Sequence, residues 1–136
     1  MTLLADTDVM VDIFRRFSPA LDWLQSLGDT ELQLPGFVVL ELVQGCRDRG
    51  DMRQLERHLA RFRTVWPSPE TCDAAVSVFI QRRLQTGIEL LDILIGVTAA
   101  ATGLQLCTFN RKHYAGIPGL TLVQPYVRSM KISGTR

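Results

Sequence analysis

Three acidic residues of the 136-residue chain, Asp6, Glu41 and Asp92, sit inside or beside apolar runs. Carboxylates seldom occupy half-buried positions without a cationic partner, and no lysine or arginine lies in the local runs around Glu41 or Asp92. A hard divalent cation, Mg²⁺ or Mn²⁺, is the natural partner for such oxygens. It keeps several waters and commonly binds phosphate alongside one or two carboxylates, which points to phosphodiester or phosphoryl chemistry. Taken singly, each acid also has a plainer account. Asp6, Asp8 or Asp92 serves as a helix cap favoured by the macrodipole, and Glu41 as a solvated helix residue.

The elements that would position these acids are legible in the spacing. Leu3 to Ala5 is a short apolar run ending at Asp6, followed by the capping types Thr7 and Asp8 and then by Val9, Ile13 and Phe14 at helical spacing. That is the strand-to-helix step of an open α/β sheet, whose ligands sit beyond the carboxyl ends of its strands. A helix from Asp8 to about Arg16 precedes a second one in which Ala20, Trp23, Leu24 and Leu27 face inward and Gly28 ends the run. Glu31 to Leu34 reads as a strand, and Pro35-Gly36 turns it into an apolar helix carrying Glu41.

Leu55, Leu59 and Phe62 form one face of a further helix, with Arg53, Arg57 and Arg61 as an exposed basic stripe on another. Ser68 caps the next helix, with Pro69 at its first position and Glu70 in its first turn, and this helix runs out near Gly87. Asp92 is expected to open an apolar helix over Ile93 to Ala101, closed by Gly103. Leu104 to Thr108 and Leu120 to Val123 read as strands, Asn110 to Ala115 as a polar loop or turn, and 131–136 as a frayed tail.

Composition narrows the class. The chain is 46% hydrophobic and 21% charged with a net charge of +1, which excludes a disordered or wholly basic protein. Its length suits one domain. Cys46, Cys72 and Cys107 are scattered and odd in number, against a disulfide framework or zinc site and in favour of a reducing cytoplasm. No secretory signal is seen, and no apolar run approaches the ~20 residues that span a bilayer, so no membrane partner is expected.

Four motifs taken together resemble the PIN-domain ribonucleases, and more closely the VapC toxins of bacterial toxin-antitoxin pairs. They are Asp6-Thr7-Asp8-Val9, Val39-Leu40-Glu41-Leu42 with Gly45, Asp92-Ile93-Leu94-Ile95 with Gly103-Leu104, and Thr108-Phe109-Asn110-Arg111-Lys112-His113-Tyr114 with Ile117-Pro118-Gly119-Leu120. The resemblance implies a three-layer α/β/α fold with a mainly parallel central sheet, as one nuclease domain over 1–130. It implies that Asp6, Glu41 and Asp92 gather at the sheet's carboxyl edge to hold Mg²⁺ or Mn²⁺. The family's fourth acidic position falls at Asn110, where many VapC-like members carry Asp and others Asn; the amide lowers the site's negative charge.

By the same resemblance the activity is endoribonucleolytic, leaving a 5′-phosphate and a 3′-hydroxyl. The ion held by Asp6 and Asp92 acidifies a water and steadies the phosphodiester charge, while Glu41 ligates or orients that water. A cognate antitoxin and a homodimer are the implied partners. Arg111 and Lys112 lie near the acidic loop and could engage RNA phosphates, whereas a solvated face is the plainer account of the helix stripe. Thr7 and Thr108 are candidates to bond the carboxylates, and His58 and His113 are read as peripheral.

Two rival readings remain. Asp6-Thr7-Asp8 also resembles the haloacid-dehalogenase pattern of a phosphorylated Asp followed by an acid, which needs a downstream lysine and a late acidic pair. Lys112 and Lys131 are the only lysines, and no acid follows Asp92. The other rival is a catalytically weak RNA- or protein-binding module, suggested by Asn110.

Overall fold

A computed structural model describes residues 1–128. The strands are β1 (Thr2–Ala5), β2 (Glu31–Pro35), β3 (Thr64–Val65), β4 (Gln105–Cys107) and β5 (Thr121–Val123). They form one sheet in the order β3-β2-β1-β4-β5, every neighbouring pair parallel. Six helices cover it in a three-layer α/β/α arrangement: α1 (Thr7–Phe14), α2 (Ser18–Ser26), α3 (Gly36–Gln44), α4 (Arg49–Leu59), α5 (Pro69–Thr86) and α6 (Leu90–Thr102). A 3₁₀ turn spans Arg111–Tyr114.

Parallel strands covered on both faces are apolar where they are buried, which the central strands satisfy over their buried positions. Leu4, Leu34 and Leu106 are fully buried, and β1 sets Leu4 opposite Leu106 and Ala5 opposite Cys107. From the helices, Met10, Val38, Ile93 and Ile95 complete the core. Gly96 of α6 admits the loop after β4: a Cβ there would lie 2.4 Å from Ile117 Cδ1 and 3.1 Å from Tyr114 Cδ1.

Local signals set several helix ends. Ser68 Oγ accepts the Thr71 N–H at 3.1 Å with Pro69 starting α5, and Gly87 (φ 71°) and Gly103 (φ 72°) end α5 and α6 in the left-handed conformation. Two features, the start of α6 and strand β3, differ from expectation. Asp92 does not open its helix: α6 starts at Leu90, with Glu89 at the cap position, so Asp92 sits inside the first turn. The α2 stripe packs inward as expected, with Ala20 fully buried and Trp23, Leu24 and Leu27 half-buried against the core. Strand β3 was not anticipated, because two residues have no periodicity and Thr64–Val65 becomes a strand only by pairing with Leu34 and Pro35. The tail expected over 131–136 lies outside the described residues.

Candidate active site at the carboxyl edge of the sheet

The ends of β1 and β4 deliver the site. Asp6 follows β1 in extended conformation, its own N–H bonded to Cys107 O at 3.0 Å, and only 3% of its surface is exposed. Its Oδ1 accepts the Thr7 N–H at 2.7 Å. Its Oδ2 accepts two hydroxyls, from Thr108 at 2.7 Å and from Tyr114 at 2.9 Å. Asp8 is tied to the backbone on both oxygens, by Val9 N–H at 2.8 Å and Phe109 N–H at 2.9 Å. Glu41, from α3, accepts the Thr7 hydroxyl, and Asp92, from α6, lies 3.6 Å from His113 Nδ1.

These side chains line one pocket of about 470 Å³, formed by Asp6, Glu41, Asp92, Asn110, Asp8 and His113 with parts of Thr7 and the start of α6. Asp6, Glu41, Asp92 and Asn110, widely separated in sequence, are thus brought together. Asn110 is exposed at the rim, its N–H donating to Thr108 Oγ1 at 3.0 Å. Arg53, Arg57 and Arg61 are exposed and do not line this pocket, and Arg111 and Lys112 are exposed on the turn after Asn110.

The electrostatics are those of acids crowded without enough cation. Burial, and next the charge of Asp8, push the Asp6 carboxyl up to about 6 despite the bonds from Thr108, Thr7 and Tyr114. Burial likewise raises Asp8. Asp92 is raised by burial, with Glu41 and Glu89 adding repulsion and His113 opposing it. Burial, then Asp6 and Asp92, hold the Tyr114 phenol far above its usual range, so it acts as a donor.

A hard divalent ion suits these oxygens chemically. Among the described residues no three His, Cys, Asp or Glu side chains stand close enough to form one ligand cage. Mg²⁺ asks for less, since it retains several waters and uses one or two carboxylates. The donor set therefore fits such an ion, with water completing the shell.

Sequence reasoning found the acids and the Thr7 and Thr108 hydroxyls, and missed three contributors. Tyr114 gave no sign that its hydroxyl turns back to Asp6. His113, read as peripheral, lies beside Asp92 on the turn that Asn110 caps. Asp8 lines the pocket, and only its adjacency to Asp6 hinted at this.

Known proteins share this fold. The PIN domain matches residues 3–116 of the chain. Ribonuclease VapC10 of Mycobacterium tuberculosis is 35% identical over 115 residues, covering 82% of this chain and 85% of that protein. The fold is similar to VapBC2 from Rickettsia felis, solved bound to a DNA fragment from its promoter, with a TM-score of 0.74, 22% identity, and 90% and 98% of the two chains covered. It is also similar to a toxin-antitoxin complex from Klebsiella pneumoniae, with a TM-score of 0.70, 26% identity, and coverage of 91% and 98%. With a match over most of its length and a relative of this identity, the chain belongs to the PIN-domain family and is of the VapC type.

Proposed function

We propose that this protein is an Mg²⁺- or Mn²⁺-dependent endoribonuclease, the toxin of a toxin-antitoxin pair acting in the cytoplasm. The observation that carries the reading is the meeting of Asp6, Glu41 and Asp92 in one pocket, where burial and mutual repulsion leave negative charge in need of a cation. The relative bearing the name ribonuclease supports the choice of substrate. The complexes formed by its structural neighbours support a cognate antitoxin as partner. A homodimer is carried by the family resemblance alone.

In this reading Asp6, Glu41 and Asp92 would hold the ion, one or two of them directly and the rest through its waters, and the ion would supply positive charge to the phosphodiester and acidify a water. The chain's own residues do the positioning. Thr108 and Tyr114 fix Asp6 Oδ2, and Thr7 fixes Glu41. Asn110 offers an amide at the rim, and Arg111 and Lys112 beside it suit phosphates that leave the pocket. His113 contributes the only basic group in the pocket lining, next to Asp92.

The haloacid-dehalogenase reading is disfavoured by Asp8, whose two oxygens are both committed to backbone N–H groups rather than free to donate a proton. Nor does a lysine line the pocket to steady an acyl-phosphate. The decisive experiment incubates purified protein with total RNA and Mn²⁺ or Mg²⁺ and maps new 5′ ends. Cleavage is expected to stop with EDTA and in D6N and D92N. Cleavage that persists in D92N or in EDTA overturns the reading, and a wild type that binds RNA without cutting it favours the binding module.

A further inference from the structure

A second groove, of about 560 Å³, adjoins the acid pocket and shares Thr7 and Glu41 with it. It runs between α1, α3 and α4, and its volume lies within the roughly 300–1,000 Å³ of small-ligand sites. The floor is apolar, with Val11, Leu42 and Leu55 contributing. On its wall the His58 imidazole stacks on the Phe14 ring, centroids 4.8 Å apart and planes 20° from parallel. Phe62 meets the same Phe14 ring edge-on at 6.5 Å, so the platform is braced by a third ring. Arg15, at the C-terminus of α1, is exposed on the rim and has no acidic partner among the described residues.

We propose that this groove binds the nucleotide flanking the scissile phosphate of single-stranded RNA, its base stacked on the His58–Phe14 pair and its phosphate met by Arg15. The inference rests on the RNA-cleavage reading of the neighbouring pocket and adds to it a substrate-binding subsite. Three features favour an RNA occupant. The acid pocket repels a phosphate backbone, so a strand crossing it needs a cation just outside, where Arg15 stands, whereas Arg47 on the same groove is paired with Asp51 at 3.4 Å. A braced flat ring pair accepts any base through its π-face, and a guanidinium makes paired bonds to phosphate. Arg57, exposed on α4, and Arg61, exposed in the turn after it, extend the same positive field beyond the groove.

The test uses the full chain carrying D92N to prevent cutting, and a fluorescein-labelled mixed-sequence oligoribonucleotide read by anisotropy. Adding H58A is expected to weaken binding roughly tenfold, the loss of one stacked base, while H58F retains it. Adding R15A is expected to weaken binding and to make its salt dependence shallower by about one phosphate contact. With the wild-type acids restored, H58A is expected to alter the base preference beside the cut, as mapped 5′ ends report. Unchanged affinity in both H58A and R15A, with unchanged cut positions in an active enzyme, overturns this subsite while leaving the nuclease intact and the groove to a peptide. A wild type that neither binds nor cuts RNA removes both readings together.

Discussion

The Tyr114 hydroxyl reaches back 108 residues to donate a 2.9 Å hydrogen bond to Asp6 Oδ2, the oxygen that Thr108 also bonds at 2.7 Å. One carboxylate oxygen at the end of β1 is thereby fixed by the whole loop that follows β4. Gly96 makes the approach feasible, since any side chain there would collide with Ile117 and crowd Tyr114.

Y114F keeps the ring and deletes this bond. A hydrogen bond to a charged group contributes about 1.5–3 kcal/mol, and the group here is buried, so urea unfolding at pH 7 is expected to show a loss of that order. RNA cleavage is expected to fall with it, because Asp6 is then held on Oδ2 by Thr108 alone. Unchanged stability and unchanged cleavage would mean that the bond has no consequence.

Asp6 makes stability depend on pH in a defined direction. Its carboxyl rises from 3.8 to about 6 on folding, so the folded state binds that proton more tightly than the unfolded chain. The resulting stabilisation is full below pH 3.8 and is lost as pH rises through about 6. At 1.36 kcal/mol per unit the effect is up to about 3 kcal/mol. In metal-free protein at pH 7, D6N is therefore expected to raise the thermal midpoint while abolishing cleavage. Subtracting its stability–pH curve from that of wild type should isolate this one titration, and a flat difference would refute it.

Asn110 sets the charge of the rim. N110D adds an acid to a pocket in which Asp92 is already repelled by Glu41 and Glu89. Calorimetric titration with Mn²⁺ is expected to show tighter binding than wild type, and the metal-free variant is expected to melt earlier. Weaker Mn²⁺ binding would count against the pocket as the ion's site.

Asp12, 5% exposed, holds the C-terminal segment. Arg128 Nε lies 3.1 Å from its Oδ2, and the Tyr126 hydroxyl donates to the same carboxylate at 2.8 Å. Arg128 also sits 4.9 Å over the Phe109 ring, and the Phe109 N–H holds Asp8. R128A leaves a buried carboxylate with less compensation, and because Arg128 is partly solvated the expected cost is about 1–2 kcal/mol in denaturant unfolding. Faster amide hydrogen exchange at Phe109 and Asn110 is the accompanying sign that the clasp steadies the active-site loop. Exchange confined to the last residues would show that it does not.

Much of the architecture was legible because it is written locally. The apolar run into Asp6, the Ser68-Pro69 start and the Gly87 and Gly103 stops involve atoms a few residues apart, so residue type and spacing suffice. Glu41 and Asp92 were visible as acids in apolar surroundings, although Asp92 proved to lie within its helix rather than at the cap. Thr108 was identifiable as a candidate carboxylate partner by its place two residues before Asn110. Strand β3 had no such signature, since its two residues are a strand only through β2.

The sequence by itself determined which residues carry charge, where strands hand over to helices, and that three acids sit inside or beside apolar runs. Only the tertiary structure decided that these acids line one pocket, that Tyr114 and His113 turn into it, that Arg128 closes on Asp12, and that His58 stacks on Phe14 beside the same edge. The reason is physical. Helix and strand periodicities constrain neighbours within a few residues, whereas side chains a hundred residues apart meet only where the packing of α6 and the β1–β4 register places them.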